Sequence, residues 1–309
     1  MRVHALLRIF CNFDSRGRIM DCVLTVSGDF ELVLADPSEG VMSDKVELYD
    51  GEYGNYGSEV YRQVRTETYG IDYGQTSWVS TKESEEIPRW LELTGNSNVL
   101  EIGCGSGVYA LHLAQLTGCR ITGVDMNALG IRTANQLAAQ RGLSQNVRFE
   151  VCDASKPLPF PNETFDAVFA NDVLCHIPGR ASLVSEMYRM LTPGAGRMLF
   201  SDALIIGGIV SHEEIATRSS IGYYLFSPPG ENERLIRDAG FTGLKVLDTT
   251  EDAARIAARW EEARQKHRER LIAAEGESTW AGLQRFLSCV RTLTEERRLF
   301  RLLYMAGKA

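Results

Sequence analysis

The chain lacks the features that would place it in a membrane, on nucleic acid or in an oxidising compartment. Its seven cysteines are an odd number without a Cys-x-x-Cys pair, so neither a disulfide framework nor a zinc site is indicated, and a reducing, cytoplasmic setting is expected. No apolar run reaches the roughly 18 residues of a membrane span. The net charge of −8 argues against a surface for nucleic acid or anionic lipid. A small-molecule partner is therefore expected, and no metal.

The 309 residues, 44% of them apolar, suffice for a large core. Residues 1–41 contain two or three short apolar runs separated by turn signals at 14–17, 27–29 and 36–40. We expect an N-terminal extension of uncertain order: a capping hairpin, a flexible segment, or sequence upstream of the functional start, since Met42 would make a sensible beginning.

Residues 42–94 are rich in tyrosine and tryptophan and are predicted to form a helical cap. Aromatic faces attract sulfonium and methylated ammonium cations. We therefore expect Tyr53, Tyr61 and Tyr69 to contact a substrate, with simple packing of the cap as the alternative for each.

Strands and helices then alternate, which predicts βαβ units in a doubly wound, mostly parallel α/β sheet. Residues 95–250 and 294–309 form this predicted core, and 251–293 a helical insertion that completes the cap. The insertion carries one apolar stripe on a charged helix, formed by Ile256, Trp260, Ala263, His267, Leu271 and Ala274. The predicted strands are 99–102, 120–124, 147–152, 164–170, 197–203, 241–247 and 299–306, and the predicted core helices are 108–116, 128–140, 181–191 and 231–239.

The strand at residues 99–102 runs into three glycines at alternate positions, Gly103, Gly105 and Gly107, and Asp125 ends the next strand. Glycines at such a turn let a ligand lie against bare backbone, and an acid about twenty residues further on is placed to hold a ribose diol. A dinucleotide fingerprint would need its third glycine at position 108, which is Val108. The spacing therefore favours another adenosine cofactor.

The pattern Glu-x-Gly-x-Gly-x-Gly from Glu101 to Gly107 resembles motif I of the class I S-adenosylmethionine-dependent methyltransferases. The resemblance extends over residues 95–203 and implies a seven-stranded sheet with helices on both faces and an antiparallel last strand. It implies S-adenosylmethionine as the cofactor and S-adenosylhomocysteine as the product. The cap resembles, less specifically, that of small-molecule N-methyltransferases.

The resemblance also implies a cofactor site. Gly103, Cys104, Gly105 and Gly107 would form its turn, Glu101 would hold the ammonium of the methionine part, and Asp125 the ribose hydroxyls. Other positions match the adenine and methionine ends: Met126 over the adenine ring, Asp153 and Ala154 at its amino group, Asn171 at the methionine end, and Gln75, Ser77 and Trp78 over the methionine carboxylate.

The chemistry of the acceptor decides whether a base is needed, because amines lose a proton near neutral pH whereas phenols, alcohols and carbon acids do not. His176, on the loop after the fourth strand of the core, is the best-placed base, with Asp172 near enough to tune its pKa; a helix-capping role is the alternative. Arg65 and Arg218 are candidates for binding an acidic substrate group, with salt bridges as the alternative, and Tyr223 lies on a loop at the same mouth.

These features predict methyl transfer to a small metabolite, with an amine nitrogen as the favoured acceptor. The alternatives are O- or C-methylation with His176 as the base, a nicotinamide-dependent dehydrogenase, and a cofactor-binding module without transfer activity. The sequence leaves the acceptor and the oligomeric state open, because acceptor pockets are built from variable cap and loop residues.

Overall fold

The computed structural model describes residues 7–13, 19–26 and 46–309. The chain divides into two compact units, Met1–Met42 and Ser43–Ala309. In the first, strands β1 (Leu7–Phe13) and β2 (Ile19–Val26) pair as an antiparallel hairpin. The turns predicted at 14–17, 27–29 and 36–40, and the alternative start at Met42, lie outside the described residues.

The second unit begins with three helices, where the sequence predicts a cap. They are α1 (Tyr49–Gly54), α2 (Glu59–Tyr69) and α3 (Thr81–Trp90). Ser80 caps helix α3, because its side chain accepts a hydrogen bond from the N–H of Glu83, one of the donors that a helix start leaves unpaired.

The core follows as alternating strands and helices. In chain order they are β3 (Asn98–Ile102), α4 (Val108–Thr117), β4 (Arg120–Asp125), α5 (Ala128–Gln140), β5 (Val147–Val151), β6 (Ala167–Ala170), α6 (Arg180–Met190), β7 (Arg197–Ile206), α7 (His212–Arg218), α8 (Glu231–Asp238), β8 (Thr242–Asp248), α9 (Thr250–Lys266), α10 (Arg268–Glu275), α11 (Glu277–Glu295) and β9 (Leu299–Gly307). The strands form one seven-stranded sheet in the order β5-β4-β3-β6-β7-β9-β8, in which β9 is antiparallel to both neighbours.

Neighbouring residues of a strand face opposite sides of the sheet, and both sides are apolar here. Val99 belongs to a buried cluster with residues of α4 and α5, whereas Leu100 and Ile102 belong to a second cluster with residues of α6. The predicted doubly wound sheet with an antiparallel last strand is confirmed.

Several predicted elements differ in extent, the strand at 197–203 for example running on to Ile206, and two of the differences have a visible cause. Strand β6 begins at Ala167 rather than Thr164, because Phe165 bridges to Leu191 and the N–H groups of Thr164 and Phe165 bond to Met190 instead of the sheet. The helix predicted through the insertion is interrupted at His267 and at Gly276, whose φ of +85° ends α10.

The insertion packs on helix α2, whereas Ala274, the last residue of the predicted stripe, is exposed. Ile256, Trp260 and Leu271 are buried in one cluster with side chains of α2 and α11. Across the described residues, no helix combines the length and apolar character needed to cross a membrane.

Candidate active site

The turn after β3 depends on its glycines. Gly103, Gly105 and Gly107 have φ values of +75°, +53° and +71°. A Cβ on Gly105 would lie 2.8 Å from the hydroxyl oxygen of Tyr53, so glycine lets the cap rest directly on the turn. A Cβ on Gly107 would lie 2.6 Å from the ring of Phe149. Gly107 therefore allows the turn to pack closely against Phe149.

Asp125, at the end of β4, fixes that turn through its carboxylate. Oδ2 accepts a hydrogen bond from the N–H of Gly105 at 2.9 Å, and Oδ1 accepts one from the N–H of Asn127 at 2.8 Å. Burial raises the pKa of Asp125, while these two donors oppose the rise. Each carboxylate oxygen retains a second lone pair for a ligand.

A cavity of about 920 Å³ lies at the carboxyl ends of the parallel strands, where ligands bind in open α/β sheets. Its wall comes from the turns after β3, β4, β5 and β6, from the cap and from the C-terminal insertion. It brings together most of the site residues expected from the sequence: Tyr53, Gln75, Ser77, Trp78, Glu101, Gly103, Cys104, Gly105, Asp125, Met126, Asp153, Ala154, Asn171, His176, Arg218 and Tyr223.

Four expected site residues are not among those that line the cavity: Gly107, Tyr61, Tyr69 and Arg65, which pairs with Asp72 instead. The hydroxyl of Tyr61 donates to Glu275 Oε2 at 2.9 Å, and the hydroxyl of Tyr69 donates to the Ser77 carbonyl at 2.8 Å. Both rings are buried in the core of the cap. The expectation that these two tyrosines face a substrate is corrected, because their polar ends hold cap segments together.

Two buried acceptors on the cavity wall have no hydrogen-bond donor among the described residues. They are Oε2 of Glu101 and Oδ1 of Asn171. Burial, and secondarily the charge of Asp125, raises the pKa of Glu101. Unsatisfied buried acceptors are costly, and each of these oxygens can accept from a cationic donor such as an ammonium.

The rim beyond Asp125 is more open. Met126 is 75% exposed although it lines the cavity. Asp153 accepts a hydrogen bond from the N–H of Ser155 at 2.9 Å, and its hydrogen bonds with that serine lower the pKa of Asp153. This rim therefore offers an apolar thioether beside an ionised carboxylate.

Hydrogen bonds fix the segment at residues 75–78 in the cavity wall. The side-chain oxygen of Gln75 accepts a hydrogen bond from the N–H of Tyr73 at 2.7 Å. The N–H of Trp78 donates to Asp172 Oδ2 at 2.9 Å. Asp172 also accepts from Nε of the fully buried Arg301, at 2.9 Å to Oδ1. Strand β9 thus supports this part of the wall.

His176 lies in a short 3₁₀ turn after β6 and is hydrogen-bonded through both ring nitrogens. Its Nδ1 is 3.0 Å from the carbonyl oxygen of Tyr223, and its Nε2 is 3.1 Å from the hydroxyl of Tyr49. A carbonyl only accepts, so Nδ1 carries the proton and Nε2 accepts from Tyr49.

Burial lowers the pKa of His176 to about 4, the bond to Tyr223 opposes this, and the charge of Arg218 adds to it. Asp172, expected to tune this histidine, is a smaller influence that raises the pKa. His176 is therefore neutral at neutral pH.

Arg218, at the end of α7, stands among aromatic rings on the same wall. Its guanidinium carbon is 4.5 Å from the centre of the Tyr224 ring, 5.1 Å from Phe286 and 5.7 Å from Trp78. Sequence reasoning missed Tyr49 and Phe286 as wall residues. Tyr49 is 127 positions from His176, and no pattern pairs them, although the tyrosine-rich composition of the cap marks the segment.

Residues 99–194 match the model of a methyltransferase domain family. Together with the sheet topology, this match supports a class I S-adenosylmethionine-dependent methyltransferase.

The chain is 27% identical to methyltransferase GfsG of Streptomyces halstedii over 227 residues, which cover 69% of this chain and 80% of that protein. It is 28% identical to the 27-O-demethylrifamycin SV methyltransferase of Amycolatopsis mediterranei over 236 residues, 74% of this chain and 84% of that one.

A solved structure of phosphoethanolamine N-methyltransferase 2 from Haemonchus contortus, in complex with phosphomonomethylethanolamine and S-adenosylhomocysteine, shares the fold. The TM-score is 0.70 at 21% identity, and the match covers 85% of this chain and 61% of that chain.

Proposed function

We propose that this methyltransferase acts on a small metabolite and that the acceptor atom is an amine nitrogen. The observation that carries the proposal is the hydrogen bond from Tyr49 to Nε2 of a neutral His176 on the cavity wall. With its pKa lowered to about 4, His176 is a weak base. Such a base suits a nitrogen, which loses its proton readily, better than a hydroxyl or a carbon acid.

The residues present fit the cofactor. S-Adenosylmethionine supplies an electrophilic methyl group on a sulfonium. The unsatisfied oxygens of Glu101 and Asn171 would receive its ammonium, and the free lone pairs of Asp125 its ribose hydroxyls. The remaining cofactor contacts are proposed for Gly103, Cys104, Gly105, Met126, Asp153, Ala154, Gln75, Ser77 and Trp78, all on the cavity wall.

The chain itself has to align the acceptor, exclude water and take up one proton. Burial raises the pKa of Tyr49 well above its usual value, so the hydroxyl is protonated at rest. We propose that the Tyr49 oxygen receives the proton that the acceptor nitrogen loses, while the Tyr49 proton passes to Nε2 of His176. Tyr53 and Tyr223, also on the wall, are proposed to contact the acceptor.

A hydroxyl acceptor is the second candidate. It is favoured by the similarity to a relative named for a 27-O-methylation, 84% of which is covered. In that case His176 would take up a hydroxyl proton during the transfer. Action in the cytoplasm is part of the same proposal, and the oligomeric state is left open.

Purified protein incubated with ¹³C-methyl-labelled cofactor and a metabolite extract, followed by mass spectrometry and NMR of the labelled product, tests the acceptor. We expect an N-methyl product whose rate of formation falls strongly in His176→Ala. The matched control is His112→Ala, which removes a half-buried histidine whose ring centre lies 4.4 Å from that of Tyr73 and which is not among the residues lining the cavity. A labelled O-methyl product would favour the second candidate, and full turnover of His176→Ala would exclude the proposed base.

A further inference from the structure

Arg218 is a buried cation in the cavity wall, with only 1% of its side chain exposed. Removing a guanidinium from water is expensive unless a carboxylate or phosphate replaces the lost hydration. Its Nη1 is buried and has no hydrogen-bond partner among the described residues.

Each of the other buried arginines of residues 46–309 is paired with a carboxylate. Arg65 pairs with Asp72 at 2.9 Å, Arg180 with Asp202 at 2.7 Å, and Arg301 with Asp172 at 2.9 Å. Arg264 pairs with Glu275.

Within the described part of the chain, Arg218 is the buried arginine without a carboxylate in ion-pair distance. Its neighbours are the faces of Trp78, Tyr224 and Phe286. Burial lowers the pKa of Arg218, but the interaction with Tyr224, which includes a side-chain hydrogen bond, raises it. Aromatic faces attract a guanidinium but supply no hydrogen-bond acceptor comparable with a carboxylate. Arg218 therefore lacks an anionic partner among the residues that the structure describes, and the cavity that it lines has room for one.

Arg218 lies close to His176, the proposed base. The ring centre of Tyr224 is 4.3 Å from that of His176 and 4.5 Å from the Arg218 guanidinium carbon, so one ring separates the proposed base from the cation.

We propose that Arg218 binds an anionic group of the methyl acceptor, a carboxylate or a phosphate, so that the acceptor is an anionic or zwitterionic small molecule. This inference rests on the proposed function, because it assumes that the acceptor occupies the cavity beside His176. The planar guanidinium offers paired donors to either group. Three aromatic rings around it keep water away, which strengthens the contact.

The probes are inorganic phosphate and acetate, titrated into the full chain by calorimetry at constant ionic strength set with sodium chloride. Each titration is run with and without saturating S-adenosylhomocysteine. We expect at least one anion to bind to the wild type, and the phosphate and acetate arms to show which chemistry is preferred. In Arg218→Met the dissociation constant should rise by about 10- to 100-fold, the range for a lost hydrogen bond to a charged group.

The matched control is Arg132→Met, which removes the same charge from an exposed position on the cofactor side of the cavity wall. It should keep the anion response. Arg218→Lys retains the charge and serves if the methionine variant does not fold; it should bind the anion more weakly than the wild type.

No binding of either anion by the wild type, or equal binding by Arg218→Met, would overturn the inference. The proposed function fails differently. A wild type that binds the anion but yields no N-methyl product would contradict the amine acceptor and leave the anion site standing.

Discussion

Replacing Arg301 by methionine removes the cation that joins β9 to the turn after β6 and to helix α3. Its guanidinium donates to both oxygens of Glu83, at 2.8 and 2.9 Å, and its Nε donates to Asp172 at 2.9 Å. Arg301 is 0%, Glu83 3% and Asp172 7% exposed, so the variant leaves two carboxylates buried without their cation.

Removing one partner of a buried ion pair costs about 3–5 kcal/mol. For a unit of this size, each kcal/mol lowers the melting temperature by about 2–4 °C, so a decrease of about 6–20 °C is expected for Arg301→Met. Urea unfolding followed by circular dichroism measures the free energy of unfolding. The matched control is Arg297→Met, whose half-exposed pair with Asp248 should contribute about 1 kcal/mol or less.

The difference in stability between Arg301→Met and the wild type should depend on pH in a defined direction. Burial raises the pKa of Glu83, and Arg301 opposes this rise. In the variant, the folded state should hold the Glu83 proton more tightly than the unfolded chain. The variant should therefore regain stability relative to the wild type as the pH is lowered from about 8 towards 5. A loss no larger than that of Arg297→Met, or a gap that widens on acidification, would refute the reasoning.

Three further measurements test the proposed site. Asp125→Ala should weaken binding of S-adenosylhomocysteine by about 10- to 100-fold in calorimetry, because hydrogen bonds to a charged group are lost, whereas His176→Ala should leave that affinity unchanged; equal effects would contradict the separate roles. Gly105→Ala should lower the free energy of unfolding by more than the left-handed backbone strain of about 1–2 kcal/mol, because the new Cβ would also clash with Tyr53. The control is Gly142→Ala, at φ +68° with open space around it, which measures the backbone strain alone. Because the pKa of His176 is lowered to about 4, the neutral base persists in mildly acidic solution. The fall of kcat/KM at low pH that reports protonation of His176 should therefore occur well below the usual histidine pKa near 6.5. A fall near pH 6.5 would contradict the burial of this ring.

Much of the sheet could be predicted because its signals are local. The helix at residues 128–140 begins and ends as predicted, and Asn127 caps it by accepting hydrogen bonds from the N–H groups of Leu129 and Gly130. The glycine spacing and Asp125 likewise indicated the cofactor, because turn and acid lie within one βαβ unit.

The acceptor side could not be predicted in the same way. Tyr53 and Tyr61 lie in the same aromatic segment, yet one lines the cavity and the other bonds to Glu275. Which ring faces the ligand depends on how α1 and α2 pack against the insertion, and composition does not encode that packing. The contact between Tyr49 and His176 likewise requires the cap to close over the sheet.

Strand β9 follows every other element in the chain but lies inside the sheet, between β7 and β8. A ribosome that has released residues up to α11 has therefore delivered the glycine turn and Asp125, but not the partner that β7 and β8 share. Arg301, which fixes the turn at Asp172, emerges with β9. The nascent chain would keep the edge of β7 unpaired until β9 has emerged, a period in which exposed strand edges invite misassembly.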